Sequence, residues 1–389
     1  VMIPAEARDC RFRGGQLVEY KAAGSGTRMR RSAQRPFSLW TLTLGRLSSD
    51  CLTRSRNAYT CKGCDSGGSM IGRFVAGLVF ALVLSWPAGR SLAAELPAQS
   101  SADFVQALLD ARADDLGFAR AKLAVDKVVD PSIDDAAALA ELDRMAATIR
   151  KMLAMLPPEP AATDIEKLKA LRAFIYEAGW WNDNRPFQYD LSDPLGQKPG
   201  SQLLTTYLAT RKGNCVSMPM LLLALGERLG LDMTLSTAPL HLFVKWTDGG
   251  KTWNLEATSG GGFARDEHYR KQLPMTDEAV RNGVYLKTLT RREALSVMAT
   301  AVLDRLIAAE RFDEAVEVAD MLIEAYPANA YALVKKGTAY YRLLERDIIK
   351  KYPRESDIPA DKITYANELY QANRDAFAKA EALGWRMPK

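Results

Sequence analysis

The sequence predicts an α+β fold: a helical lead-in, a small mixed core and a helical tail. Three observations predict it. Residues 101–151 carry apolar side chains at helical spacing. After Gly230 the period shortens to that of strands, around an Asp248-Gly249-Gly250 turn. From Arg291 onward the helical period returns. About 48% of the 389 residues are apolar, which is enough to bury a sizeable core in more than one domain.

The charge divides the chain unevenly. Residues 1–69 hold 12 basic and 5 acidic side chains, although the whole chain is only +5. Residues 95–389 hold 38 basic and 42 acidic residues, so the main body gives no reason to expect nucleic acid. Four of the five cysteines also precede residue 70. The main body keeps Cys215, His241 and His268 alone, which excludes an internal disulfide scaffold and argues against a metal site. No cofactor is expected.

Residues 70–93 have the form of a secretory leader. Arg73 precedes an apolar run from Phe74 to Trp86, and small residues Ser91 and Ala93 mark a cleavage point. The run is short of the roughly 20 residues a spanning helix needs, so no stable span is expected once the leader is removed. Residues 1–69 are Gly-, Ser- and Arg-rich with weak periodicity. They read as an upstream extension that is not part of the natural chain, which would begin at Met70. The pair Cys61 and Cys64 has metal-knuckle spacing without a second pair. A periplasmic or secreted location follows.

Residues 94–160 form the lead-in. Phe104, Leu108 and Leu109 mark its first helix, and Phe118–Val129 its second. Pro131 ends that one. Ser132, three before Asp135, predicts the start of a third carrying Leu139, Leu142, Met145, Ile149 and Met152. Pro157-Pro158-Glu159-Pro160 is a hard break.

The core is expected over 161–290. Thr163 and Glu166 make a capping box for a helix with Ile165, Leu168, Leu171 and Ile175 inside and Gly179 at its end. A long irregular loop follows to Ser201, the kind of segment that carries function. Its aromatic residues Trp180, Trp181, Phe187 and Tyr189 are candidates for lining a substrate cleft. Leu203–Ala209 predicts a short helix, and Val216–Leu229 an apolar one closed by Gly230. Met233–Ala238, His241–Trp246 and Thr252–Ala257 predict three strands. If Trp246 faces Lys251 across the turn, then His241 lies opposite Glu256 and Phe243 opposite Asn254. Gly260–Thr290 reads as loop and short helix.

Cys215 falls where the apolar helix starts, so orphan amides and the local dipole favour its thiolate. An imidazole nearby would lower the thiol further and act as base and acid. A carboxylate or amide on the other ring nitrogen would fix the tautomer. His241 on one strand, with Glu256 or in reserve Asn254 on the next, supplies both. This order of helix-start cysteine, histidine strand and acid strand is that of papain-like acyl-transfer enzymes. The Cys215 amide would be one oxyanion donor. The plainer alternative is a small core cysteine beside a core histidine. His268 lies in the charged run Arg265–Arg270 and reads as surface.

The tail, 291–389, predicts helices from Arg291, from Phe312 to Tyr326, over Ala330–Leu344 and over Tyr365–Leu383, with an interruption from Glu345 to Lys362. The spacing from Ala315 to Pro327, Gly337 and Tyr340 resembles a degenerate tetratricopeptide repeat.

Residues 118–153, Tyr207–Ala224, Pro239–Lys245 and the helical tail together resemble a bacterial family. Its members are transglutaminase-like proteins of the Sir-B-type N-terminal domain family, with C-terminal tetratricopeptide-like helices. The sharpest pieces are Arg211-Lys-Gly-Asn-Cys-Val-Ser217 and Pro239-Leu-His241. The resemblance implies a papain/transglutaminase-like core. The wider superfamily carries a Cys-His-Asp triad with its acid in Trp-x-x-x-Asp-Pro-Thr. Here the segment reads Trp253-Asn-Leu-Glu256-Ala-Thr258, one residue shorter and with glutamate for aspartate. The third role is carried to Glu256. The expected activity is thiol-dependent hydrolysis of a peptide or isopeptide amide in the cell envelope. The alternatives are an inactive exported scaffold that grips a protein partner on its tail, and, more weakly, a transglutaminase.

Overall fold

The computed structural model describes residues 10–13, 16–19, 100–112, 116–157, 163–194 and 196–387. The first two stretches form an antiparallel hairpin, β1 (Cys10–Arg13) with β2 (Gln16–Glu19). The leader expected at 70–93, and the Cys61–Cys64 pair, lie outside the described residues. Among the described residues no helix is long and apolar enough to cross a membrane.

The lead-in begins with α1 (Ser101–Asp110), whose first turn is closed by Ser100 Oγ accepting the Asp103 amide at 3.0 Å. Next comes α2 (Phe118–Val129), with the bounds its apolar pattern predicts. The helix α3 (Asp135–Leu153) is capped by Asp134, which accepts the Ala137 amide at 2.9 Å. The expected cap, Ser132, instead donates to Asp130 at 2.6 Å. A carboxylate directly before the helix outcompetes a hydroxyl two residues further back.

In α4 (Asp164–Tyr176) the expected box is present from the Glu166 side: its carboxylate accepts the Thr163 amide at 2.7 Å. Leu168, Leu171 and Ile175 are buried. The helix stops at Tyr176, three residues short of Gly179. The loop beyond it makes a two-residue parallel ladder, β3 (Gln188–Tyr189) against β4 (Lys212–Gly213). Between these strands lies α5 (Leu204–Thr210). After them comes α6 (Ser217–Arg228), buried from Ser217 to Gly226 and followed by Gly230 at φ +70°. Glu227 of α6 caps α2 from across the core, accepting the Phe118 amide at 3.0 and 3.2 Å. That close approach needs Gly117, since a Cβ there would lie 2.4 Å from the Glu227 carboxylate.

The sheet is a four-stranded antiparallel meander: β5 (Asp232–Ala238), β6 (His241–Asp248), β7 (Lys251–Glu256) and β8 (Gly262–Ala264). The last strand falls in a stretch expected to be loop. The β6–β7 register also differs from expectation: Trp246 pairs with Trp253, and Lys251 with Asp248. The turn takes only Gly249 and Gly250, both with positive φ (54° and 76°), the two-residue geometry that matches strand twist. The shift is two residues, so the faces keep their parity. His241 and Glu256 remain on one side of the sheet, as diagonal rather than direct neighbours.

After α7 (Asp266–Gln272) and α8 (Asp277–Arg281) the chain runs along β5. Leu286 donates to Thr237 at 2.9 Å and Leu289 to Leu235 at 3.3 Å, which covers that edge of the sheet. The tail consists of α9 (Arg291–Ala308), α10 (Phe312–Ala325), α11 (Ala330–Leu344) and α12 (Ala360–Ala382), each packed on the next. A π-helical turn, Glu345–Ile349, opens the expected interruption. The last helix starts five residues earlier than its periodicity predicts. One hydrophobic core runs through all three parts: α2 lies against both α6 and α9, and α1 against α9 and α10.

A buried ion pair ties the lead-in to the core. Lys122 and Asp126 of α2, one turn apart, are 5% and 1% exposed at their side chains. Lys122 also donates to the Gln202 carbonyl at 3.1 Å, and Asp126 accepts the Leu204 amide, the first of α5, at 2.9 Å. Asp126→Ala should cost about 3–5 kcal/mol in urea unfolding, because it leaves a buried ammonium and a buried amide without partners. A loss below about 1 kcal/mol would mean that the pair contributes little to the fold.

Candidate active site

Cys215 sits between the end of β4 and the first turn of α6. The neighbouring Asn214, fully buried, shapes that junction. Its Oδ1 accepts the Val216 and Ser217 amides at 3.0 and 3.2 Å, and its Nδ2 donates to the Ser201 carbonyl at 2.9 Å. Asn214 thus satisfies two orphan donors of α6. The Cys215 amide remains the candidate oxyanion donor.

His241 opens β6, directly after the tight Pro239-Leu240 turn that pairs Ala238 with His241. Its Nε2 lies 2.8 Å from Glu256 Oε2. Cys215 is close enough to the His241 ring for each to act on the other's charge, and both residues line one cleft. The Cys215 thiol also lies 3.7 Å from the Leu240 carbonyl. Glu256 ends β7, and its second oxygen accepts the Thr258 amide at 2.9 Å and the Thr258 hydroxyl. The structure therefore brings Cys215, His241 and Glu256 into one row.

The electrostatics follow from that row. Burial works against charge on Glu256, but His241 and Thr258 outweigh it and hold the carboxyl down at about 2. Burial likewise works against the imidazolium, yet the neighbouring Cys215 and the hydrogen-bonded Glu256 raise His241 to about 9. For Cys215, burial pushes the thiol up and the neighbouring His241 pulls it down, with a net direction below its ordinary value. Each group favours the charged form of its neighbour.

Asn254, the reserve for the third role, is engaged elsewhere. It accepts from Lys245 Nζ at 2.8 Å and donates to Asp266 at 2.7 Å. His268 is exposed, with its ring edge-on to Tyr269. Among the described residues no group of three or more His, Cys, Asp or Glu could hold a metal ion.

Cys215, itself only 4% exposed, and His241 line a cleft of about 970 Å³. Pro239 and Leu240 form part of its near wall, and Met298, Ala301, Tyr331 and Thr338 of α9 and α11 its far side. None of the four loop aromatics expected there lines it. Trp180 is 53% exposed. Trp181 donates its indole N–H to the Ala173 carbonyl at 3.1 Å. Phe187 is buried edge-on against Tyr207, at 5.1 Å between centroids. Tyr189 donates to the Pro194 carbonyl. Trp181 and Phe187 thus turn toward α4 and α5, whereas Tyr189 lies close enough to Cys215 and Glu256 for their charges, after burial, to push its hydroxyl up.

Sequence reasoning missed Asn214, Thr258 and Tyr269. Asn214 had a signal, being a cap-forming residue just ahead of an apolar helix. Tyr269 had none, because it lies in the charged run Arg265–Arg270. It is buried, stacks on Phe243 at 4.2 Å and lies 6.0 Å from the His241 ring.

Residues 136–300 match the family model described as transglutaminase-like superfamily, so the chain carries a domain of that superfamily there. The span includes all three members of the row. That superfamily typically has cysteine-based acyl-transfer or peptidase activity. No curated protein and no solved structure matches the chain.

The row predicts the pH response of Cys215. Alkylation should rise through a midpoint below the ordinary thiol value of about 8.5. In His241→Ala the sulfur loses the influence of the imidazole while its burial remains, so the midpoint should move upward. Iodoacetamide labelling followed by mass spectrometry measures both. Identical midpoints in the two proteins would break the thiolate–imidazole pair.

Proposed function

We propose that the transglutaminase-like domain is a thiol-dependent acyl-transfer enzyme that hydrolyses a peptide or isopeptide amide. The observation that carries this reading is the 2.8 Å contact from His241 to Glu256, with Cys215 beside His241 in the lining of one cleft.

The chemistry follows from the charges. The Cys215 thiolate attacks the carbonyl carbon, forming a C–S bond and an oxyanion near the Cys215 amide. His241, held as imidazolium by Glu256, gives its proton to the leaving nitrogen as the C–N bond breaks. A water then gives a proton back to His241 and attacks the thioester, releasing the acid and the thiolate. Water is the favoured acceptor, because it is abundant and no residue marks an amine site. Export to the periplasm or cell exterior would bring envelope peptides within reach, if the stretch at 70–93 acts as a leader. The helical tail would be tetratricopeptide-like and available to a protein partner.

The test is a mixture of end-blocked peptides, with products read by mass spectrometry. Cys215→Ala should abolish cleavage and shift Tm by less than about 4 °C, since truncating a small helix-start side chain opens little cavity. Glu256→Gln should lower kcat by a factor on the order of 10³–10⁴, with KM little changed. The pH profile should be bell-shaped. Its acid limb follows ionisation of the depressed thiol, and its alkaline limb the loss of the His241 proton near pH 9. Cleavage that survives in Cys215→Ala would end the proposal, and an intact fold that cleaves nothing would favour a scaffold.

A further inference from the structure

The Pro239-Leu240 turn joins β5 to β6 with two residues, since Ala238 and His241 are already paired. The proline ring fixes a negative φ at the first position. Leu240, at the second, has φ +56°. This is the type II combination, whose second position calls for glycine or asparagine. A leucine is strained there, because its Cβ crowds the backbone in the left-handed region. Glycine would make the same turn without strain, so the backbone alone does not account for the leucine.

The place of the strain is informative. The Leu240 carbonyl lies 3.7 Å from Cys215 Sγ, and the next residue is His241. Leu240 is only half-buried and lines the cleft together with Leu242, Val284, Tyr285, Val297 and Met298. A conformation normally reserved for glycine therefore carries an apolar side chain beside the nucleophile. Strain retained at such a position points to a use for the side chain.

We infer that Leu240 is a specificity-determining residue, the wall against which the substrate packs an apolar side chain next to its reacting carbonyl. The inference rests on the acyl-transfer reading and names a substrate class for it: acyl donors with a branched or aromatic apolar residue at that position. A glycine or a charged residue there would leave the wall unfilled or would have to desolvate against it.

The experiment uses two activated acyl donors, the 4-nitrophenyl esters of N-acetyl-leucine and N-acetyl-glycine. Cys215 attacks the ester carbonyl, the C–O bond breaks and 4-nitrophenolate is released as the thioester forms. The burst of nitrophenolate, corrected with Cys215→Ala, gives the acylation rate. The unmodified protein should prefer the leucine ester by roughly tenfold or more. In Leu240→Gly and Leu240→Asn, which both suit the turn, the leucine ester should lose far more rate than the glycine ester, so the ratio falls toward one. Tm of Leu240→Gly should rise, because the strain is gone.

An unchanged ratio in both variants overturns the inference and leaves the acyl-transfer reading standing. A lower Tm for Leu240→Gly overturns the strain argument. Absence of any Cys215-dependent burst, while the fold remains intact, overturns the acyl-transfer reading and the specificity argument with it. The selectivity ratio is the decisive readout, since a purely structural role for Leu240 would lower both rates together.

Discussion

The site depends on a carboxylate kept charged inside the protein. Glu256 is 7% exposed, and a buried carboxylate is unfavourable unless its charge is met. Here it is met by the His241 ring on one oxygen and by Thr258 on the other. The arrangement is mutual, since Glu256 gives the imidazole a reason to hold its proton. That proton in turn makes the thiolate of Cys215 affordable. Remove the carboxylate and the ring loses both its tautomer and its orientation.

Two local devices hold the partners in line. On the sheet, the Gly249-Gly250 turn sets the register that brings Glu256 diagonally beside His241. On the helix, Asn214 ties the first amides of α6 to the Ser201 carbonyl. Asp193 supports that loop in turn, accepting the Gln197 amide at 2.9 Å and the Ser201 hydroxyl. The nucleophile is thus fixed through the irregular loop as well as through the helix. Two of the loop's aromatic residues tie it to the helices around it, Trp181 to the Ala173 carbonyl of α4 and Phe187 to Tyr207 of α5.

Much of the fold was legible because it rests on short-range rules. The bounds of α2 follow from the apolar pattern Phe118–Val129, and the start of α4 from Thr163 with Glu166. The row of Cys215, His241 and Glu256 was legible for a different reason. A two-residue shift in strand register does not change faces, so the expected pairing and the observed one both put His241 and Glu256 on one side of the sheet. What sequence could not show depends on distant partners. Glu227 caps α2 from α6, and Tyr269 stacks into the site from a charged helix; neither leaves a local trace. The β8 strand, three residues long, is too short to display a period.

The residues that match the superfamily end inside α9, at 300. The chemistry lies within that span, but part of the cleft does not. Its far wall on α11 includes Tyr331, Lys335 and Thr338, beyond the matched residues. That wall is fixed before any ligand arrives. The Tyr331 hydroxyl donates to Asp304 at 2.7 and 2.8 Å, and Lys335 pairs with the same carboxylate at 2.6 Å. Groups already satisfied by one another need not reorganise on binding, so the ordering cost for a substrate falls mainly on the substrate. The contacts of α2 with α6 and α9 couple this wall to the helix that carries Cys215. The cleft thus draws on two parts of one continuous core: Leu240 beside the reacting row, and the α11 side chains beyond the matched residues.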